Sequence, residues 1–215
     1  MKLNVVILAD DSAYCSISDL CLMLKNSAYQ LLEQYKNAHP DMDLNYQEFL
    51  SDSINKQNLS EKMASVNIDR FLCFWYGHGK RDSFQIDRED VVTTTDNHYV
   101  FSNALIYTFS CLNGNELADI LIANNVKAFV GYTEFANCPY GMDDVTCNIV
   151  MSFVSSFLFK GKSIKNAVDD LKASYEEAIY NSELDPIQRS EYQKNRDSIV
   201  IKGDGNLTIN DLLVA

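Results

Sequence analysis

Phe71-Leu72-Cys73-Phe74-Trp75-Tyr76 is a short, unbroken apolar run stopped by Gly77-His78-Gly79. A strand with one wet face alternates apolar and polar side chains. A run with no alternation fits a strand buried on both faces, as in a parallel sheet covered by helices. Three further runs have the same form. Leu3 to Leu8 ends at Ala9-Asp10-Asp11, Ala104 to Phe109 ends at Ser110-Cys111, and Ala128 to Tyr132 ends at Thr133-Glu134.

Between these runs the apolar spacing changes to that of helices. Leu20, Leu24, Leu31, Leu32 and Tyr35 recur at helical intervals until His39-Pro40. Leu117, Ile120 and Leu121 share a face of a short helix over 116–124. Residues 143–159 and 163–180 form two amphipathic helices broken at Lys160-Gly161-Lys162, with Ser163 opening the second. Strands separated by helices predict an α/β fold, a three-layer sandwich whose mostly parallel central sheet carries helices on both faces. No linker divides the chain, so residues 1–215 read as one domain. Leu44 to Leu50 is ambiguous. Residues 81–97 read as a hairpin or a mobile loop able to gate a cleft. Asp185-Pro186 opens a polar loop, and 198–209 reads as a C-terminal hairpin.

Hydrophobic residues at 47% and charged residues at 22% put the chain among globular proteins rather than disordered ones. Eighteen Lys and Arg against thirty Asp and Glu give a formal charge of −12. Nucleic acid and anionic membrane surfaces both require a basic footprint, so neither is an expected partner. No apolar run approaches the ~20 residues that cross a bilayer. No signal segment is read at the start, and the six cysteines form no CxxC pair. Reduced thiols and a cytoplasmic protein are expected, with no metal and no cofactor.

Ligands of open α/β sheets bind beyond the carboxyl ends of the strands. Those ends offer Asp10 and Asp11, then His78 between two glycines, then Cys111, then Glu134. A thiol beside an imidazole supplies a nucleophile and an acid/base. The N–H groups of Gly79 and Cys111 are candidates for holding an oxyanion. Cys15, Cys21, Cys73, Cys138 and Cys147 read as packing residues. The residues alone leave open a peptidase, another thiol-dependent α/β enzyme, or a catalytically silent module that docks a partner protein.

Together, Gly77-His78-Gly79 after one apolar strand and Ser110-Cys111 with Gly114 after the next resemble the caspase-like clan of cysteine peptidases. Phe129-Val130-Gly131-Tyr132, the junction Phe159-Lys160-Gly161-Lys162-Ser163-Ile164 with Ala167, and Gly203-Asp204 are similar to its gingipain and CHAT branches. The resemblance implies a caspase-like fold and a cysteine endopeptidase. His78 and Cys111 would form the catalytic dyad, acting through a thioester, with Gly79 and Cys111 as the oxyanion hole. It also implies a protein or peptide substrate, a regulatory partner protein, and a defence or cell-death role. Two departures are clear. Caspases carry Gln-Ala-Cys-x-Gly with the histidine about 50 residues upstream, whereas here His78 precedes Cys111 by 33. Metacaspases place an acid two residues before the nucleophile, where this chain has Phe109. Asp10, Asp11 and Glu134 are the substrate-binding candidates, and their carboxylates would favour Arg or Lys at P1.

Overall fold

The computed structural model describes residues 1–66, 69–181 and 183–214. In chain order its strands are β1 (Lys2–Ala9), β2 (Asp43–Leu50), β3 (Phe71–Tyr76), β4 (His78–Gly79), β5 (Ser83–Ile86), β6 (Glu89–Thr93), β7 (Ala104–Phe109), β8 (Ala128–Tyr132) and β9 (Ile199–Gly203). Six of them make the central sheet in the order β2-β1-β3-β7-β8-β9, and β4-β5-β6 make a small separate sheet. All neighbours in the central sheet run parallel except β9, which is antiparallel to β8.

The apolar runs are continuous because alternate residues feed two cores. Val5, Ile7, Phe74, Tyr76, Tyr107 and Phe109 face one side; Val6, Leu8, Cys73, Trp75 and Ile106 face the other. The first side is covered by α1 (Ser18–Ala38), α4 (Asp143–Phe159), α5 (Ile164–Tyr180) and α6 (Pro186–Ser198). The second is covered by α2 (Leu59–Val66), α3 (Glu116–Ala123) and the β5–β6 hairpin. Each fully buried large side chain contributes about 1.5–3 kcal/mol. Trp75 stacks on Phe84 with ring centroids 4.3 Å apart, which locks the small sheet onto the large one.

Four strands, the three-layer sandwich and α1, α3, α4 and α5 lie where the sequence pattern puts them, and Ser163 caps α5 by accepting from the Asn166 N–H. Other segments differ. Residues 44–50 are a parallel edge strand whose residues are mostly half-exposed or exposed, which blurred its pattern. The 81–97 segment is a hairpin and not a mobile loop: Phe84, Ile86, Val91 and Val92 are fully buried. Asp185-Pro186 does not open a loop but starts α6, through a capping box with Gln188 and proline at the first turn. The expected C-terminal hairpin does not form. β9 pairs with β8, and the chain after it turns into a short 3-10 helix at Ile209–Leu212.

Asp170 ties α5 to the end of α4, accepting from Ser156 Oγ and from Lys162 Nζ at 2.7 Å. These bonds lower its pKa to about 2, with the Lys162 contact the largest cause. A depressed carboxylate stabilises the fold above its unfolded pKa of ~3.9, and that stabilisation is lost as pH falls toward the folded value. Asp170→Asn is expected to cost on the order of 1 kcal/mol at pH 7 after solvent screening, or ~2–4 °C in Tm for a chain of this size. Thermal melts of both proteins should converge near pH 2.

Candidate active site

Register alone brings three strand ends to one rim. Ala9 of β1 lies opposite Tyr76 of β3, and Tyr76 lies opposite Phe109 of β7. Asp10, His78 and Cys111 follow within two residues of those positions, on neighbouring strands about 4.8 Å apart. The rim is tightly packed. A Cβ added at Gly79 would meet Ser110 Oγ and come within 2.6 Å of the Cys111 carbonyl oxygen. One at Gly131 would come within 2.8 Å of the Asn113 side-chain oxygen. Both glycines are therefore fixed by close approach.

The segment carrying Cys111 is held in an uncommon backbone state. Leu112 has φ +61°, a left-handed conformation that a leucine rarely adopts. Surrounding bonds enforce it. The Leu112 N–H donates to the Glu134 carbonyl at 2.9 Å, and its own carbonyl accepts from Asn115 Nδ2 at 2.6 Å. The same Asn115 amide donates to the Thr133 carbonyl, so the turn after β7 is strapped to the end of β8. The Cys111 N–H has no hydrogen-bond partner among the described residues. Lys80 N–H donates to Ser83 at the tip of the β4–β5 hairpin. Pairs alternate along an antiparallel ladder, so Gly79, one residue back, falls at a non-bonded position. Its N–H points away from β5.

The side chains of the two half-buried residues face different partners. The Cys111 sulfur lies 4.0 Å from the Ala136 carbonyl, and burial raises its pKa. α3 begins at Glu116, beyond the turn that carries Cys111. The Cys15 thiol near the imidazole is the main cause of the raised His78 pKa. The neighbouring Cys21 and His78, Cys21 first, lower the Cys15 pKa to about 6 against the opposing effect of burial.

Cys15 is buried in the core on the α1 side of the sheet, as its sequence context suggested, and it also lies near His78. The signal available was its place between the end of β1 and the start of a long helix. What was missing was the order β2-β1-β3, which sets that loop beside His78.

The acidic candidates divide. Asp10 is fully buried and accepts from the Ser12 and Asp87 N–H groups at 3.1 and 3.2 Å, joining the loop after β1 to the β5–β6 turn. Asp11 accepts from the N–H and hydroxyl of Ser51, on the side of the sheet away from Cys111. Glu134 is exposed, and its carboxylate has no bonded partner among the described residues. With Phe135, Asn137 and Lys194 it lines a cavity of about 310 Å³ beside the Cys111 turn. No group of three or more metal-ligating side chains occurs among the described residues, and no described helix is long and apolar enough to cross a membrane.

Gly79→Ala should separate the β4 and β7 ends and lower stability by about 1–3 kcal/mol through overpacking. A thermal melt reads the loss, and maleimide labelling of Cys111 should become faster in the variant. An unchanged melt and labelling rate would mean the rim is looser than described.

No protein-family model matches the sequence, and no curated protein matches it. Among solved structures it is similar to a secreted C11 cysteine protease from Bacteroides thetaiotaomicron in complex with an irreversible peptide inhibitor. The TM-score is 0.58 and the identity 12%, over 98% of this chain and 67% of that one. A second structure, of the secreted C11 cysteine protease "iotapain" from the same organism, gives TM-score 0.48 and 12% identity over 81% of this chain and 62% of that one. The chain spans about two thirds of the length of these proteins. The parallel sheet and its covering helices, superimposing over nearly the whole chain, have the fold of that C11 cysteine protease.

Proposed function

We propose that the chain is a cysteine endopeptidase in which Cys111 attacks a peptide carbonyl and His78 moves the protons. The observation that carries this reading is the rim itself, with His78 and Cys111 at the ends of registered neighbours and an unpaired Cys111 N–H between them. Attack forms a C–S bond and an alkoxide. In this reading the N–H groups of Cys111 and Gly79 donate to that oxygen in a partly dry site, where such bonds count most. His78 as imidazolium gives its proton to the leaving amine, and the thioester remains. Water, deprotonated by the neutral imidazole, then releases the acid and restores the thiol. Burial raises the Cys111 pKa, so proton transfer to His78 at the moment of attack is the route to the thiolate.

The substrate is a peptide segment of a protein, and Glu134 favours Arg or Lys at P1. Asp10 and Asp11 contribute less, because their carboxylates already bind loop N–H groups and Ser51. Lys194 shares the Glu134 cavity and limits the preference. Free thiols throughout suit a reducing, cytoplasmic setting. A defence or cell-death role and a regulatory partner rest on the clan resemblance alone.

A second reading, a silent module that binds a partner protein, is favoured by one observation: the Cys111 sulfur faces the Ala136 carbonyl at 4.0 Å.

Cleavage of a P1-diverse peptide library separates the two. Cys111→Ala and His78→Ala should each lower kcat/KM at least ~1000-fold, since removing either member of such a pair disables the unit. Absence of cleavage by the folded wild-type chain across the library would favour the silent module. Glu134→Gln should raise KM for Arg and Lys at P1 about tenfold, the loss of ~1.4 kcal/mol of charge-assisted contact, and leave Ala at P1 unaffected. Equal effects on both substrates would remove Glu134 from the P1 site.

A further inference from the structure

Helix α6 buries a polar face. Its enclosed side chains are Tyr192, Asn195 and Ser198, three residues apart on one side, where a packing helix carries apolar residues. Buried polar groups cost stability unless they are bonded, so their partners show what the helix holds. Asn195 is fully buried, and its amide pairs in both directions with the backbone of Asn137. Its Oδ1 accepts from the Asn137 N–H at 2.8 Å, and its Nδ2 donates to the Asn137 carbonyl at 2.7 Å. The Ser198 carbonyl accepts from the Thr133 N–H at 2.9 Å and from the Thr133 hydroxyl at 3.2 Å. The Tyr192 hydroxyl lies 3.0 Å from that of Thr146 on α4.

The segment held in this way, residues 133–137, is the wall beside Cys111. On its inner side the Glu134 carbonyl accepts from the Leu112 N–H, and the Ala136 carbonyl lies 4.0 Å from the Cys111 sulfur. Glu134, Phe135 and Asn137 line the cavity next to that turn, with Lys194, the neighbour of Asn195, opposite. On its outer side the wall has no strand to lean on. The β8–β9 ladder ends at the pair Tyr132–Ile199. Beyond it, the side-chain amide of Asn195 offers Asn137 one donor and one acceptor, as a strand backbone would.

We propose that Asn195 is a positioning residue of the active site: its amide sets the 133–137 wall, which covers one side of the Cys111 sulfur and shapes the cavity for the P1 side chain. Asn195 acts through Asn137 and Ala136 and not on the substrate. The inference rests on the peptidase reading for what the wall does in turnover, and on the Asn195–Asn137 pair alone for how the wall is held. Without that pair the Asn137 N–H and carbonyl must turn to water, which draws the wall away from the sulfur. Cys111 itself stays strapped, because Leu112 and Asn115 still bind the Glu134 and Thr133 carbonyls.

Asn195→Leu keeps the size of the side chain and removes both bonds. Tyr175→Phe is the reference. The Tyr175 hydroxyl accepts from the same amide at 3.5 Å and lies 3.1 Å from that of Tyr132, so its loss weakens the same buried network and spares the Asn137 pair. With both variants folded, iodoacetamide should alkylate Cys111 about tenfold faster in Asn195→Leu than in the wild-type chain, the change that ~1.4 kcal/mol of lost bonding gives. Tyr175→Phe should react at the wild-type rate. Equal rates in the two variants, or no acceleration in Asn195→Leu, would overturn the proposal. This readout needs no turnover, so a chain that cleaves no peptide leaves it decisive. In a chain that does cleave, Asn195→Leu should raise KM for Arg at P1 about tenfold with kcat little changed, the split expected when a binding wall moves and the nucleophile does not. A fall in kcat at unchanged KM would contradict it. If Asn195→Leu does not fold, hydrogen exchange in the wild-type chain decides. The Asn137 N–H should exchange at least ~10-fold more slowly than the Phe135 N–H, which has no partner among the described residues; equal exchange would overturn the proposal.

Discussion

Parallel pairing of β3 with β1 on one side and β7 on the other is the constraint on which everything else rests. Parallel neighbours end at the same edge, so the residues that follow them are delivered to a common rim whatever loops intervene. The register Ala9–Tyr76–Phe109 sets which residues those are. A slip of one residue would turn every side chain of a strand to the opposite face. Here it would exchange Phe74 and Tyr76 for Cys73 and Trp75 in the helix-covered core, so two filled cores hold the register and hence the site.

The rim carries one imidazole and two thiols at different distances from readiness. Cys111 has a left-handed Leu112 behind it and an N–H without a partner among the described residues, and burial raises its pKa. Cys15 has the more acidic thiol, lowered chiefly by Cys21, yet it is almost enclosed.

Much of this was legible in the residues, for reasons that differ by element. Strands β1, β3, β7 and β8 show because burial on both faces leaves no polar interruption, and His78 and Cys111 show because they end such strands. β2 did not show, since its mixed pattern is that of a partly exposed edge strand. α6 was missed because Asp185-Pro186 reads equally as a turn or as a helix start, and only the reciprocal bond from Gln188 decides. β9 pairs with a strand more than sixty residues away, which no local turn signal reveals. The nearness of Cys15 to His78 was hidden for a like reason: proximity across neighbouring strand ends depends on strand order, and order is a tertiary property. Asp10 was visible as a strand-end carboxylate, but not as one whose two oxygens were already taken by backbone N–H groups.

The central claim concerns which sulfur does the chemistry. The direct measurement is intact-mass and peptide mapping of the chain acid-quenched during turnover of an activated peptide ester, which accumulates the acyl-enzyme. The account predicts one acyl group, on Cys111, formed as a thioester and lost with hydroxylamine. Acylation of Cys15 instead, or no acyl-enzyme in a folded chain, would contradict it.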